Sequence, residues 1–299
     1  MAKRAHDGPD GLVVVDKPAG WTSHDIVAKS RGLLGTRKVG HAGTLDPDAT
    51  GVLLLGIGRA TKLLRFLSPL GKSYVGEVVL GTETSTLDAA GEVTATHDMA
   101  GTTIDDVRAA AAGFVGEIEQ IPPMVSAVKV GGRRLHELAR QGIEVERQPR
   151  PVTIHSLEVL PGPEGEPSVF TVAVSCSSGT YIRTLAADIG AALGGGAHLR
   201  NLRRTSVGPY TLADAVALEE VGPEVVRPMR EAVRHLAQVV VGPEVAADVG
   251  VGKVLARHVL GVDGDGDGPW AVIDGGGRLL AVYEPFRGDT AKPSLVIAR

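Results

Sequence analysis

A chain of 299 residues, 43% hydrophobic and 22% charged, can bury a sizeable core and is expected to form more than one domain. Its single cysteine, Cys176, excludes a disulfide framework and a multi-cysteine metal site, and points to a reducing compartment. The net charge of −4 argues against nucleic acid only until its distribution is read: residues 1–211 carry 22 basic and 22 acidic side chains, residues 212–299 carry 9 against 13. The basic residues cluster at Lys29, Arg31, Arg37 and Lys38, at Arg59, Lys62 and Arg65, at Arg133, Arg134 and Arg140, and at Arg200, Arg203 and Arg204. A local basic face can bind phosphates on an acidic protein, and a set of solvated faces is the plainer alternative. The apolar run Leu12 to Val15 is too short for a signal peptide, and no run approaches membrane-spanning length, so a soluble cytoplasmic protein is expected.

In chain order, Gly11 to Asp16 reads as a short buried strand. Ser23 is placed to cap a helix with Ile26, Val27, Leu33 and Leu34 at helical spacing. A loop around Asp46 follows, then a strand from Val52 to Ile57, a short amphipathic helix from Ala60 to Leu67, and a strand from Lys72 to Leu80. Thr103 and Asp106 form a capping-box pattern before a helix. Val128 to Val130 enters a Gly131-Gly132 turn, and Arg134 to Gln141 reads as a basic helix. Val152 to Leu160 and Val169 to Cys176 look like paired strands, and Thr180 to Leu193 like a helix ended by Gly194. From about residue 239, apolar strands alternate with glycine turns, which suggests domains at 1–238 and 239–299. The Asp263, Asp265, Asp267 and Asp274 spacing resembles a calcium loop, but the last ligand is not glutamate and a strand, not a helix, follows. It reads as a solvated hairpin loop.

The segment Gly40 to Gly51 concentrates the chemistry. Asp46 stands before Pro47, which pushes it towards an extended backbone, within a glycine-bounded loop that follows Arg37-Lys38. Asp48, two residues on, reads as structural.

Five ordered blocks carry a family resemblance: Asp16 to Gly20, the Asp46 loop, Lys72-Ser73-Tyr74, Ser178 to Thr184, and Gly195 to Arg204. Gly116 to Ala127 and Arg140 to Val145 add to them. The set resembles the TruB family of tRNA pseudouridine-55 synthases from about residue 10 to about 210. The resemblance implies an α+β fold: a catalytic domain with a central mixed, mainly antiparallel sheet flanked by helices, and a small β-rich PUA-like C-terminal domain. It implies an isomerase that cleaves N1–C1′ of the T-arm uridine at tRNA position 55 and forms C5–C1′. No oxidation and no imported group is involved, so neither cofactor nor metal is expected. The partner is tRNA, with no obligatory protein partner and a monomeric state.

The resemblance makes Asp46 the essential catalytic group. Whether it attacks the sugar, attacks the base or removes a ribose proton stays open. Arg183 matches the arginine that pairs with the catalytic aspartate, and Arg suits this because it stays charged and grips a carboxylate with two donors. The target uridine must be flipped out of the folded T arm. Tyr74 matches the tyrosine stacked on the flipped base and is a candidate for helping remove the C5 proton. Tyr181 and Leu202 match further substrate contacts, and His41 the histidine that enters the T loop. Asp88 aligns with an aspartate near the site, and a turn aspartate explains it equally well. A non-catalytic T-arm-binding tRNA-folding chaperone is the alternative; a guide-directed synthase acting on another RNA is a third reading.

Overall fold

The computed structural model describes residues 8–126, 128–262 and 267–297. The chain divides into two units: Met1–Pro47, Val52–Ser68 and Gly208–Arg299 in one, Asp48–Gly51 and Pro69–Val207 in the other.

In the first unit, Gly11–Lys17 pairs in parallel with Val216–Ala217, and Val39–Ala42 pairs antiparallel with Leu54 to Ile57 of the Thr50–Ile57 strand. Val13, Val15, Leu53, Leu55 and Ile57 pack with Ile26 and Val27 of the Ser23–Leu33 helix into a dry core. A second sheet runs Ala237–Val241, Trp270–Asp274, Leu279–Pro285, Thr290–Val296, Leu255–Ala256, closed over Trp270, Tyr283 and aliphatic side chains. The tail is therefore β-rich as expected, although Pro243–Gly250 is a helix among its strands. Asp263 and Asp265 of the calcium-like spacing lie outside the described residues. Asp274 accepts from the backbone N–H groups of Gly276 and Arg278 and pairs with the Arg278 side chain, which is hairpin-turn chemistry.

In the second unit the strand order is Ala197–Val207, Lys72–Leu80, Val169–Cys176, Arg150–Pro161, Gly116–Gln120, antiparallel throughout. Thr50 and Gly51 join its edge, parallel to Arg203 and Arg204. Gly51 has φ +100°, and a Cβ there would stand 2.1 Å from the Arg204 carbonyl oxygen, so only glycine fits. The fold is thus a mixed, mainly antiparallel α+β architecture.

Several local expectations shift. The cap of the first helix is Thr22, not Ser23: Thr22 and Asp25 form a reciprocal capping box. Ala60 to Leu67 is a 3-10 turn, Gly58–Leu63, running into one α turn, Leu64–Leu67. The basic helix shortens to Leu135–Ala139 because Arg133–Arg134 pairs as a strand with Lys129–Val130. The helix expected from Thr180 begins at Ile182, with Tyr181 as its cap.

Candidate active site

The Asp46 loop is fixed from both sides by side chains of its own unit. Because Thr22 takes the capping role, the buried Ser23 hydroxyl is released to the loop: it accepts from the Leu45 N–H at 2.9 Å and donates to the Leu45 carbonyl at 3.2 Å. Lys17 is fully buried, and its ammonium donates to the carbonyls of Pro18 at 2.9 Å, Trp21 at 2.6 Å and Pro47 at 2.7 Å. The Gly20 N–H donates to the same Pro47 carbonyl at 3.0 Å. Residues 45 and 47 are both anchored, so the backbone of half-buried Asp46 between them has little freedom. Pinning a reacting group before substrate arrives removes the entropy of orienting it later. A buried ammonium is expensive unless its protons are satisfied, and three carbonyls satisfy them here. His41 is half-buried on the Val39–Ala42 strand, and its ring meets that of exposed His24 edge-on, centroids 5.2 Å apart.

The other four candidate residues, Tyr74, Tyr181, Arg183 and Leu202, belong to the second unit. Tyr74 is 8% exposed on Lys72–Leu80, directly opposite Arg204 on the neighbouring strand, and its hydroxyl accepts from that guanidinium. Leu202 sits in a bulge. The register with Lys72–Leu80 slips between Arg200 and Arg203, and Asn201 adopts φ 52°. Bulges redirect side chains, and this one brings a Leu202 methyl to 3.3 Å from where a Cβ on Gly76 would be. Tyr181 is held by the side chain of buried Gln120, which accepts from the Tyr181 N–H at 2.9 Å and donates to its carbonyl at 3.2 Å.

Arg183 is 5% exposed, and its ion pair within this unit is with Asp88, at 3.2 Å. It also donates to the carbonyls of Thr86 at 3.0 Å and Val125 at 2.9 Å. Asp88 in turn accepts from the Thr86 hydroxyl at 2.5 Å and the Ala90 N–H at 3.2 Å, so it is both a turn residue and the counter-ion of Arg183. Leu87 between them has φ 63°, which a non-glycine residue adopts at a cost of about 1–3 kcal/mol. Its carbonyl accepts from the Leu199 N–H at 3.0 Å, and the Ala89 N–H donates to the Leu199 carbonyl at 2.9 Å.

The floor of this unit is unusually charged. Lys72 is buried, and burial first, then the charge of Arg204, pushes its ammonium down to about 8. Burial likewise lowers Arg204 and raises the thiol of Cys176. Part of the basic surface expected from sequence is spent internally: Arg59 pairs with Asp10, Arg200 with Glu77 and Glu166, and Arg204 is fully buried. Among the described residues no group of three or more His, Cys, Asp or Glu is arranged to hold a metal. Sequence reasoning gave no site role to Lys17, Ser23, Gln120 or Arg204, reading Ser23 as a helix cap and Arg204 as part of a basic cluster, although each lies in or beside one of the family blocks. A lysine before proline in an apolar strand and an asparagine inside a strand were the available signals.

The matching family models span all six candidate residues. The model described as TruB family pseudouridylate synthase, N-terminal domain, matches residues 31–182, and that for the tRNA pseudouridylate synthase B C-terminal domain matches 183–246. The chain belongs to the TruB family. Its reaction is the isomerisation of uridine to pseudouridine. The chain is 46% identical over 303 residues to tRNA pseudouridine synthase B of Arthrobacter sp. (strain FB24), covering 96% of each chain. It is 45% identical over 296 residues to the protein of that name from Thermobifida fusca (strain YX), covering 97% of this chain and 99% of the relative. A Cbf5-Nop10-Gar1 complex contains a chain of the same fold at TM-score 0.72 and 29% identity, spanning 97% of this TruB-family chain and 84% of that one. Among the described residues no helix is long and apolar enough to cross a membrane.

Proposed function

We infer that this protein isomerises the T-arm uridine at position 55 of tRNA. The observation that carries the reading is end-to-end similarity, at 46% identity, to proteins named tRNA pseudouridine synthase B. The anchored Asp46 loop supports it, because a pinned carboxylate is what cleavage at C1′ requires. In the reaction N1–C1′ breaks, the uracil turns, C5–C1′ forms, the C5 proton leaves and N1 gains a proton. Atoms balance without a cofactor.

In this reading Asp46 acts while positive charge develops at C1′, as nucleophile or as base. Tyr74 supports the flipped base, with Tyr181 and Leu202 as further substrate contacts, and Arg183 supports the ionised aspartate. His41 enters the T loop. Stacking plus phosphate contacts is the usual mode for unpaired RNA. The segment 239–299 is a PUA-like domain whose acidic side chains must face away from phosphate. Cbf5 works beside partner proteins in the complex named above, but the curated relatives at 45–46% identity carry the tRNA synthase name, so a stand-alone monomer is proposed.

The test is an unmodified tRNA transcript incubated with purified protein, followed by carbodiimide treatment and primer extension. A single new stop at uridine 55 is expected. Binding with no modification would favour the chaperone alternative. Modification elsewhere, or only with an added guide RNA, would overturn the position assigned.

A further inference from the structure

A guanidinium is among the least readily buried side chains, and Arg204 is fully buried. It lies directly across the strand pair from Tyr74, and residues so opposed share a sheet face. Its guanidinium donates to the phenol oxygen. On the other edge of its strand the Arg204 main chain runs parallel to Gly51, where a Cβ would stand 2.1 Å from the Arg204 carbonyl oxygen, so the Arg204 backbone is closely held. Arg keeps its proton in proteins, so this contact sets a permanent positive charge against an oxygen that can become an anion.

We propose that Arg204 is a positioning residue for Tyr74, holding its phenol in place and stabilising the phenolate so that Tyr74 takes the C5 proton from the isomerised base. The proposal rests on the function inferred above and adds a group to it. The step balances: the C5–H bond breaks, its electron pair restores the ring π-system, and the proton passes to the tyrosine oxygen and then to water. A neutral phenol with an ordinary pKa near 10 is a poor base at neutral pH. A cation held against it in a dry setting favours the charged form. Other groups on this face act in the same field. Lys72 is two residues before Tyr74 on its own strand, and Cys176 lies across from Lys72 on the Val169–Cys176 strand. The residue opposite Tyr74 on that strand is Val174, which does not titrate. Arg204 is thus the cation in direct contact, and Lys72 a second one whose charge is lost above about pH 8.

Two measurements test this. The first uses the RNA-free protein and follows phenolate absorbance at 295 nm against pH. Subtracting the Tyr74→Phe curve isolates Tyr74 from the other tyrosines. Replacing Arg204 by Gln is expected to move that titration up by about one pH unit or more, with Arg204→Lys in between. The second is the pH profile of kcat/KM for C5-hydrogen release from transcript. Its rising limb should move to higher pH in Arg204→Gln. The resulting deficit at neutral pH should be about tenfold for each pH unit the limb moves, and should close towards pH 10. A purely structural role would lower the profile by one factor at every pH. An unshifted Tyr74 titration in Arg204→Gln overturns the proposal; if that variant does not fold, an unshifted titration in Arg204→Lys does so. If wild-type protein releases no C5 hydrogen from any tRNA, the inferred function fails, while the absorbance titration still decides the Arg204–Tyr74 coupling.

Discussion

The strand pair Lys72–Leu80 and Ala197–Val207 and the hairpin Trp270–Asp274 and Leu279–Pro285 are both buried sheet, yet they bury different chemistry. The first encloses Lys72, Tyr74 and Arg204. The second encloses Trp270, Tyr283, Val272, Leu280, Ala281 and Val282, with the Tyr283 hydroxyl donating to the Lys253 carbonyl at 2.8 Å. An all-apolar interior is the cheaper solution, since a buried charge must recover its lost hydration from its partners. The hairpin shows that this chain builds such interiors readily. Cationic side chains in the other sheet are therefore retained against stability, which is the pattern of a working site.

The sharpest way to break the contrast is Trp270→Ala. A fully buried indole removed from an apolar core should cost about 3–5 kcal/mol in chemical denaturation. The kcat of the folded protein should be unchanged. If kcat collapses as well, the hairpin is not merely structural and the contrast is lost.

A smaller effect of opposite sign is expected from Lys72→Met. The Lys72 ammonium has a folded-state pKa near 8, against an ordinary 10.5 in the unfolded chain. Below pH 8 both states are protonated and the native state carries the full burial penalty. Between pH 8 and 10.5 the native state has released its proton while the unfolded chain has not, so wild-type stability rises with pH across this window. The Met variant should accordingly be more stable than wild type by roughly 1–3 kcal/mol at pH 7, with the advantage fading towards pH 10.5. Denaturation midpoints at pH 7 and pH 10 measure it. A loss of stability at pH 7, or a gain independent of pH, would show that Lys72 is held on favourable terms.

Much of the fold was readable because its strands are strongly patterned. Lys72–Leu80 and Val169–Cys176 have the bounds that alternation and β-branched content suggest. The Thr103–Asp106 capping box is likewise local chemistry and appears as read. What failed was the choice of the first helix's cap. The sequence pointed to Ser23, whereas Thr22 caps the helix and the Ser23 hydroxyl is engaged by the distant Leu45. The basic clusters misled for a similar reason: charge is visible in a sequence, but the partners Glu77 and Glu166 that engage Arg200 lie far from it along the chain. Among the candidate residues, Asp46 could be picked out by its loop. Leu202 could not, because the bulge that re-aims it depends on the Asn201 backbone and on the strand opposite. Arg204 reads from sequence as one more surface arginine, and its burial is a property of the sheet.

The most direct test of the central claim is hydrogen release from C5-tritiated uridine in a tRNA transcript by wild-type protein and by Asp46→Asn, with transcript binding measured alongside. The substitution keeps the shape of a side chain whose flanking backbone is already tied by Ser23 and Lys17, so folding and binding should persist. Release should fall by about a thousandfold or more, as expected when an essential catalytic group is removed. Full release by Asp46→Asn, at wild-type rate, would contradict the account.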